Sequence, residues 1–190
     1  GDLRRLIEAV TAQWPDRVTG EVECDINVLR QLQCVLRQGK WHVTVALRDG
    51  HQIIAVWPGL KEQVAGVAID VGSTTMSAHL CDMVTGDVLA STGAMNPQIR
   101  FGEYLMSRVS YGIMNPDGAD EMSKAVIAGV QSLIDGAAKQ ASLVSDDIVE
   151  LVLVGNPVMH HLLLGIDPVE LGGAPFALAL DEALDVRASE

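Results

Sequence analysis

The run GVAIDVGSTTMSAHLCDMVTGDVLA, residues 66–90, decides the fold of this chain. Val67, Ile69 and Val71 alternate with small or polar residues, the period-two pattern of a half-buried strand. A second strand is predicted after the Gly-Ser-Thr-Thr segment at 72–75, and a Thr-Gly-Asp turn leads into a third. Three successive strands joined by short turns predict an antiparallel meander.

Downstream of the meander, helical spacing predicts a helix at 101–111, a long helix at about 119–141 and a short helix from Pro157. The segment 148–154 is continuously apolar, which is typical of a strand buried on both faces. A meander followed by helices and a parallel strand is the subdomain plan of the ribonuclease-H-like fold, which actin-like ATPases use twice. We therefore predict an α/β fold in which residues 66–190 form one such subdomain with a mixed sheet, incomplete on its own.

The chain before the meander predicts a small α+β N-terminal domain at residues 1–60. Helices are predicted at 2–13 and 27–38, with a strand at 18–24 between them. A hairpin follows at 41–57, closed by an Asp-Gly pair, which is a strong signal for a tight turn. Nothing in this domain has the pattern of a catalytic site.

Composition limits the classes of function. The 190 residues are 48% hydrophobic, with no apolar run long enough for a bilayer and no signal-peptide pattern, so we expect a soluble, cytoplasmic protein without a membrane partner. The net charge is −12, and it divides unevenly. Residues 1–60 carry seven basic and seven acidic side chains, whereas residues 61–190 carry six basic and 18 acidic ones. Nucleic acid is therefore not expected as a partner, because its binding needs a basic surface.

The cysteines and the neighbouring histidines predict no metal or cluster site. Cys24, Cys34 and Cys81 lack the paired spacing of a disulfide framework, a zinc site or an iron–sulfur site, so we expect buried, reduced thiols. His160 and His161 are adjacent on a predicted helix and point about 100° apart, which disfavours a shared metal ion.

The first strand-to-strand turn of the meander is the best candidate for chemistry. Gly72 lets the backbone approach an anion closely, and successive N–H groups in such a turn can form an anion-binding nest. Ser73, Thr74 and Thr75 add hydroxyl groups. Asp70 ends an apolar strand and is predicted to be the catalytic carboxylate, holding Mg²⁺ through water molecules. The alternative is an ordinary hairpin turn beside a solvated aspartate.

A second candidate lies at the end of the predicted strand 148–154, where Gly155 and Asn156 follow. Ligands of open α/β sheets gather at the carboxyl ends of strands, so Asn156 is predicted to face the same cleft as Asp70. Asn before Pro at the first helical position is also a strong N-cap signal. Both roles can hold together.

Three blocks of the sequence resemble the corrinoid-activating ferredoxins, the reductive activators of corrinoid-dependent methyltransferases. They are GVAIDVGSTTMSAHLCDMVTGDVLA at 66–90, NPQIRFGEYLMSRVSYG at 96–112 and VGNPVMHHLLLGIDP at 154–168. The segment WHVTVALRDG at 41–50 is similar to the domain that precedes the ATPase part of that family. The resemblance covers about residues 25–178, with the blocks in family order.

This resemblance implies more than the pattern does. Family members carry a two-iron two-sulfur ferredoxin domain, a linker, a middle domain and an ASKHA (actin-like) ATPase domain, and they couple ATP to reduction of a Co(II) corrinoid protein to Co(I). Residues 1–60 then correspond to a middle/linker domain and residues 66–190 to the first part of the ATPase domain. The residues that fall on the family's nucleotide-binding positions are Asp70, Gly72, Ser73, Thr74, Thr75, Gly155 and Asn156.

The sequence also departs from the family pattern. It has no ferredoxin cysteine cluster, so the two-iron two-sulfur centre is expected outside this chain. No second phosphate loop follows residue 165, so ATP and Mg²⁺ would meet only half a cleft, and we expect the chain alone to be inactive. Tyr104 and Pro157 replace a usual acidic and a usual hydroxyl residue. Exposed apolar surface is expected to cause self-association, with a homodimer as one form.

Two other functions fit the same residues. One is a piece of a sugar-kinase-like or acetate-kinase-like phosphotransferase, which would share the fold and the phosphate loop. The other is a non-enzymatic interaction module, in which the hairpin at 41–57 and the acidic surface would bind a protein. Fold analogy alone does not choose among them.

Overall fold

The computed structural model describes residues 1–187 and divides the chain into two compact units, Gly1–Val64 and a second unit that begins at Ala65. The last three residues of the predicted domain 66–190 lie outside the described part. None of the helices in residues 1–187 is both long and apolar enough to cross a membrane. Each unit has its own cluster of buried apolar side chains.

The first unit packs two helices on a three-stranded sheet. Its elements are α1 (Asp2–Gln13), β1 (Glu23–Cys24), α2 (Ile26–Gln38), β2 (Val43–Arg48) and β3 (Gln52–Pro58). The sheet order is β1-β3-β2, with β2 and β3 antiparallel and β1 parallel to β3. The two helices and the hairpin therefore form as predicted, and the unit is α+β.

For this unit, the prediction of the tight turn is right and the prediction of the first strand is wrong. Asp49 and Gly50 have φ angles of 52° and 73°, so the Asp-Gly turn between β2 and β3 is confirmed. The strand predicted at 18–24 is wrong in length, because only Glu23 and Cys24 pair with β3. Gly20, at φ 92°, turns the chain out of an extended line, and this interrupts the pairing.

The second unit is a four-stranded mixed sheet with helices on one face. Its strands are β4 (Ala65–Val71), β5 (Thr75–Asp82), β6 (Val88–Met95) and β7 (Ile148–Gly155), and its helices are α3 (Leu105–Met114), α4 (Gly118–Ala141) and α5 (Pro157–Leu163). The order is β6-β5-β4-β7; the first three strands are antiparallel, and β7 is parallel to β4. The predicted fold class, a ribonuclease-H-like subdomain with a mixed sheet, is confirmed.

Only one face of this sheet is covered within the described residues. Val67, Ile69 and Val71 of β4 are buried in the cluster that includes α4. On β7, by contrast, Val152 and Val154 are 52% and 58% exposed. The expectation that β7 is buried on both faces is therefore wrong for this chain, because no described element packs against the second face.

The helix predicted at 101–111 begins later than expected. Residues Pro97–Phe101 form a 3₁₀ turn, and α3 starts at Leu105. Gly102 is fully extended, and the Ser107 Oγ accepts a hydrogen bond from the Tyr104 N–H at 3.0 Å. This cap sets the start of α3, which local apolar spacing does not reveal.

The cysteines are free but not buried. Cys34 is exposed, while Cys24 and Cys81 are half-buried. The expectation of reduced thiols agrees with this, and the expectation of burial is wrong. Cys34 faces solvent because it lies about 200° around α2 from Leu32, on the face opposite the buried positions.

Candidate functional site

The carboxyl ends of β4 and β7 lie side by side. In their parallel register Asp70 is opposite Val154 and Val71 is opposite Gly155. The turn after β4 and the start of α5 after β7 therefore lie together at the carboxyl-terminal ends of these strands, where open α/β sheets bind ligands. Asp70 is exposed on the uncovered face of the sheet. The two predicted groups of site residues thus belong to one edge.

Position 72 requires glycine because there is no room for a side chain. A Cβ atom there would fall well inside van der Waals contact with the carbonyl oxygen of Thr75. The backbone of Gly72 does not have a positive φ. The tight closure of the turn, and not a left-handed conformation, therefore selects glycine at this position.

Three successive carbonyl groups of the turn are bound from the protein interior. The Asn96 Nδ2 donates to the Gly72 oxygen at 2.8 Å, and the Asn96 N–H donates to the Thr74 oxygen at 2.8 Å. Between them, the Arg108 guanidinium donates to the Ser73 oxygen. All three peptide oxygens of this turn are therefore directed toward one buried cluster.

The N–H groups of the same peptides must face the other way. The only cis peptide bond within residues 1–187 is Ala174-Pro175, so the bonds of this turn are trans. A trans peptide holds its oxygen and hydrogen on opposite sides. The N–H groups of Ser73, Thr74 and Thr75 therefore point away from the groups that bind these three oxygens. Backbone N–H groups exposed in such a turn can bind an anion, so the predicted anion site at this turn stays a prediction.

The cluster beneath the turn was not recognised from sequence. Asn96, Gln98, Arg108 and Met159 are each at most 1% exposed. The Asn96 Oδ1 accepts from the Gln98 N–H at 2.9 Å, and the Gln98 Nε2 donates to the Met122 oxygen at 2.8 Å. In the described residues, every buried side-chain nitrogen and oxygen has a hydrogen-bond partner. No local pattern marks Asn96 and Gln98 as partners of the turn, because only the fold brings them under it.

Arg108 is the charged member of this cluster. Its Nε donates to the Gly102 oxygen at 2.9 Å, and one Nη lies 3.2 Å from the Gln98 Oε1 and 3.5 Å from the Met159 sulfur. None of the ion pairs found in residues 1–187 includes it. Burial lowers the pKa of the Arg108 guanidinium below its ordinary value, but an arginine remains charged at neutral pH.

Asn156 caps α5 as its sequence context predicts. Its Oδ1 accepts from the Met159 N–H at 3.1 Å. A Cβ at Gly155 would lie 3.1 Å from the Val71 oxygen and 3.2 Å from the Met159 Cβ, so β7 passes close to β4 there. The N-cap role of Asn156 is therefore confirmed, and its role in a cleft stays a prediction.

The residues present suit a water-mediated magnesium ion better than a directly bound metal. In the described part of the chain no three His, Cys, Asp or Glu side chains are grouped to hold a metal ion. Mg²⁺ commonly keeps its waters and uses one or two carboxylates plus substrate phosphates, so Asp70 beside the nest fits that ion. Cys24 and Cys34 lie in the first unit and Cys81 in the second, which does not fit an iron–sulfur cluster.

His161 has a structural role. Its Nδ1 lies 2.7 Å from the Pro157 oxygen, and its Nε2 accepts from the Ala179 N–H at 3.1 Å. Both ring nitrogens are therefore engaged by the backbone, and the imidazole joins α5 to the following segment.

Two family matches together cover almost the whole chain. Residues 65–190 match the family described as RACo middle region, and residues 1–63 match the one described as RACo linker region. These descriptions attach the word linker to the first unit and the word middle to the second.

A curated relative and a solved structure agree with these matches. The chain is 27% identical over 203 residues to the corrinoid activation enzyme RamQ of Eubacterium limosum, covering 96% of this chain and 34% of that protein. It also matches the solved structure of a reductive activator for corrinoid, iron-sulfur protein, with a TM-score of 0.77 and 34% identity over 94% of this chain and 28% of the other. The chain thus spans about a third of the lengths of these relatives.

Proposed function

The chain belongs to the RACo family, and from that premise we propose that it supplies half of the nucleotide cleft of an ATP-dependent reductive activator. Such an activator would return a Co(II) corrinoid protein to Co(I). Residues 1–60 would serve as the linker domain, and residues 66–190, which match the middle region, as the first subdomain of an actin-like ATPase domain. The names of both relatives refer to corrinoid activation, which supports a corrinoid protein as the partner.

The turn at 72–75, whose three carbonyl groups are bound by Asn96 and Arg108 and whose N–H groups are directed away from them, is the feature that carries this proposal. It lies at the sheet edge shared by β4 and β7, and its three carbonyl groups are held inward. A phosphate chain offers oxygen atoms that accept hydrogen bonds from such N–H groups. The hydroxyl groups of Ser73, Thr74 and Thr75 border the same turn. The nest therefore suits the phosphates of ATP.

Asp70 is proposed as the residue that holds Mg²⁺ through water. When bound, the ion would neutralise charge on the phosphate oxygens. Asp70 lies on the open face of the sheet, one residue before the end of β4, and its carboxylate is exposed. It would orient the hydrated ion toward phosphates seated on the nest. Gly155 and Asn156 would line the same edge.

The open face of β7 supports the idea that the cleft is only half built here. The strand Ile148–Gly155 has a composition suited to burial on both faces, yet Val152 and Val154 are exposed. The chain spans 34% and 28% of the two relatives, and we propose that a further region of such proteins covers this face. Catalysis of phosphoryl transfer depends on positioning and electrostatics around the phosphates, so half a cleft should be nearly inert.

The binding test uses backbone amide NMR of this chain during titration with ATP, with and without Mg²⁺. We expect the largest shifts at the amides of 73–75 and at Gly155. Asp70→Asn should weaken binding of Mg-ATP by about tenfold and leave metal-free ATP binding nearly unchanged, because the aspartate acts through the ion. The matched control is Asp87→Asn, which removes the same charge at the other end of β5.

Equal effects of Asp70→Asn and Asp87→Asn would show that only overall charge matters, and they would contradict the site.

A turnover test asks whether this chain, with half of the nucleotide cleft, hydrolyses ATP. We expect no steady release of phosphate by this chain alone. Release that is abolished by Asp70→Ala would show instead that the chain is catalytically complete.

The remaining features of the proposed activator concern parts beyond these residues. A two-iron two-sulfur cluster would deliver the electron from another region, since the cysteines here do not form such a site. We propose a cytoplasmic setting with no nucleic acid or membrane partner.

A phosphotransferase would be favoured instead if a small acceptor substrate shifted the amide NMR signals near Asp70. An interaction module would be favoured if the amides at 73–75 did not respond to nucleotide.

A further inference from the structure

We propose that Arg108 is a positioning residue that holds the phosphate loop, residues 72–75, in its anion-binding conformation and places a positive charge beneath it. The identity of the anion rests on the proposed function. The conformational part of the proposal does not, because it concerns the loop without ligand. Arg108 is 35 residues from Ser73 in the chain, so only the fold joins them.

The guanidinium ties three segments together. It donates to the Ser73 oxygen in the loop and to the Gly102 oxygen before α3, and it lies 3.2 Å from the Gln98 Oε1. A planar guanidinium with five N–H groups can serve several acceptors at fixed angles, whereas an ammonium group acts as a single point. Binding of the Ser73 oxygen prevents that peptide from rotating its N–H inward. The loop conformation should therefore depend on the planar donor geometry of the guanidinium and not only on its positive charge.

Charge makes Arg108 unusual in this unit. Residues 65–190 carry five basic and 17 acidic side chains, so the unit as a whole repels anions. Among the basic residues, Lys124 pairs with Asp120, and the Arg100 guanidinium lies 4.6 Å from the centroid of the Phe101 ring. Arg108 is fully buried and contacts the loop itself. A buried charge is less screened by salt than an exposed one, so its field should reach an anion on the loop.

The acceptors around Arg108 are all uncharged. They are two backbone carbonyl groups, one amide oxygen and one thioether sulfur. Burying a cation without a counter-charge is unfavourable, and this burial accounts for the lowered pKa of the guanidinium. An anion bound on the outer side of the loop would supply the missing negative charge. The same arrangement that costs stability without ligand would then favour phosphate binding.

The test compares Arg108→Lys and Arg108→Met with a control of unrelated burial, Leu133→Ala on α4. Leu133 is 3% exposed and packs in the apolar core of the unit. It is not one of the buried residues beneath the turn, which are Asn96, Gln98, Arg108 and Met159. Without ligand, we expect both Arg108 variants to shift the amide signals of residues 73–75 and to speed their hydrogen exchange. Mg-ATP should bind about tenfold to a hundredfold more weakly, as expected for the loss of hydrogen bonds to a charged group. Leu133→Ala should lower the melting temperature and leave both loop signals and affinity unchanged.

Gln98→Glu provides a second, charge-specific test. A carboxylate at 98 would neutralise Arg108 while leaving its hydrogen bond to the Ser73 oxygen possible, although the bond from Gln98 Nε2 to Met122 would be lost. We expect weaker binding of Mg-ATP with loop amides close to those of the wild type. This variant keeps the proposal testable if Arg108→Met does not fold.

The outcomes separate the two proposals. Unchanged loop signals in folded Arg108→Lys, or unchanged affinity in Gln98→Glu when the wild type binds, would overturn the role of Arg108. Altered loop signals in Arg108→Lys, in a protein whose wild type does not bind Mg-ATP, would overturn the nucleotide function but support loop positioning.

Discussion

At the scale of single residues, the candidate site is built more by backbone geometry than by reactive side chains. Gly72 closes the turn, Asn96 and Arg108 hold its carbonyl groups, and Asp70 is its one carboxylate. The N–H groups are then left to face outward. A site made of backbone groups is sensitive to small changes in side-chain size, because one added Cβ atom can displace a peptide group on which the site depends.

Gly72→Ala tests this sensitivity. The added Cβ would collide with the Thr75 oxygen, so we expect the free energy of unfolding to fall by about 1–3 kcal/mol and the binding of Mg-ATP to be lost. The measurements are thermal unfolding and amide titration. The control is Gly93→Ala on β6, where a Cβ would lie 3.7 Å from the Met76 oxygen, an ordinary contact. Equal tolerance of alanine at both positions would contradict the tight turn.

The thiols offer a prediction about pH. The pKa of Cys24 is raised, first by desolvation and then by the neighbouring Asp25, so at a given pH less of it is thiolate. Cys34 is exposed. We expect a maleimide reagent at pH 8 to modify Cys34 before Cys24, as followed by peptide mass spectrometry. Raising the pH should narrow the difference, and faster labelling of Cys24 at pH 8 would contradict its desolvation.

At the scale of elements, α5 connects the fold to the site. Its N-cap, Asn156, follows β7 directly, and Pro157 occupies the first position of the helix. The cap hydrogen bond explains Asn156 without reference to any ligand. Stability and binding must therefore be separated by substitution.

Asn156→Asp makes this separation. Aspartate caps helices about as well as asparagine, so stability should be kept, whereas Asn156→Ala should cost about 1 kcal/mol. If Asn156 borders a phosphate site, the added negative charge should weaken Mg-ATP binding severalfold. Calorimetry would measure binding, and thermal unfolding would measure stability. Wild-type affinity in Asn156→Asp would limit Asn156 to its capping role.

At the scale of the whole molecule, the sheet of the second unit ends at an uncovered strand. β7 forms one edge of the order β6-β5-β4-β7, and its residues Val152 and Val154 are exposed. Apolar side chains left exposed on the face of a sheet favour association with another apolar surface.

Substitution of both valines by threonine tests this surface. We expect the chain to self-associate with rising concentration, and Val152→Thr with Val154→Thr to shift it toward the monomer. Light scattering over a concentration series gives the measurement. Val144→Thr, at an exposed valine between α4 and β7, is the control and should change nothing. A monomer at all concentrations, or equal effects from the control, would contradict self-association through β7.

The sequence by itself determined the order of elements and most of their bounds, because these depend on interactions between near neighbours. The Asp49-Gly50 turn, the N-cap at Asn156 and the apolar face of α4 all follow from local rules. It also placed Asp70 and the loop 72–75 at a strand end. These features involve residues a few positions apart, where spacing alone is informative.

Only the tertiary structure decided what surrounds that loop. Arg108 and Asn96 reach the peptides of the loop across 35 and 24 residues of chain, and neither stands out by spacing or composition. The start of α3 depends on a cap at Tyr104 that apolar periodicity does not encode, and the exposure of Val152 depends on which faces other elements cover. Contacts between residues distant in sequence depend on how the elements pack, and local sequence patterns do not predict that packing.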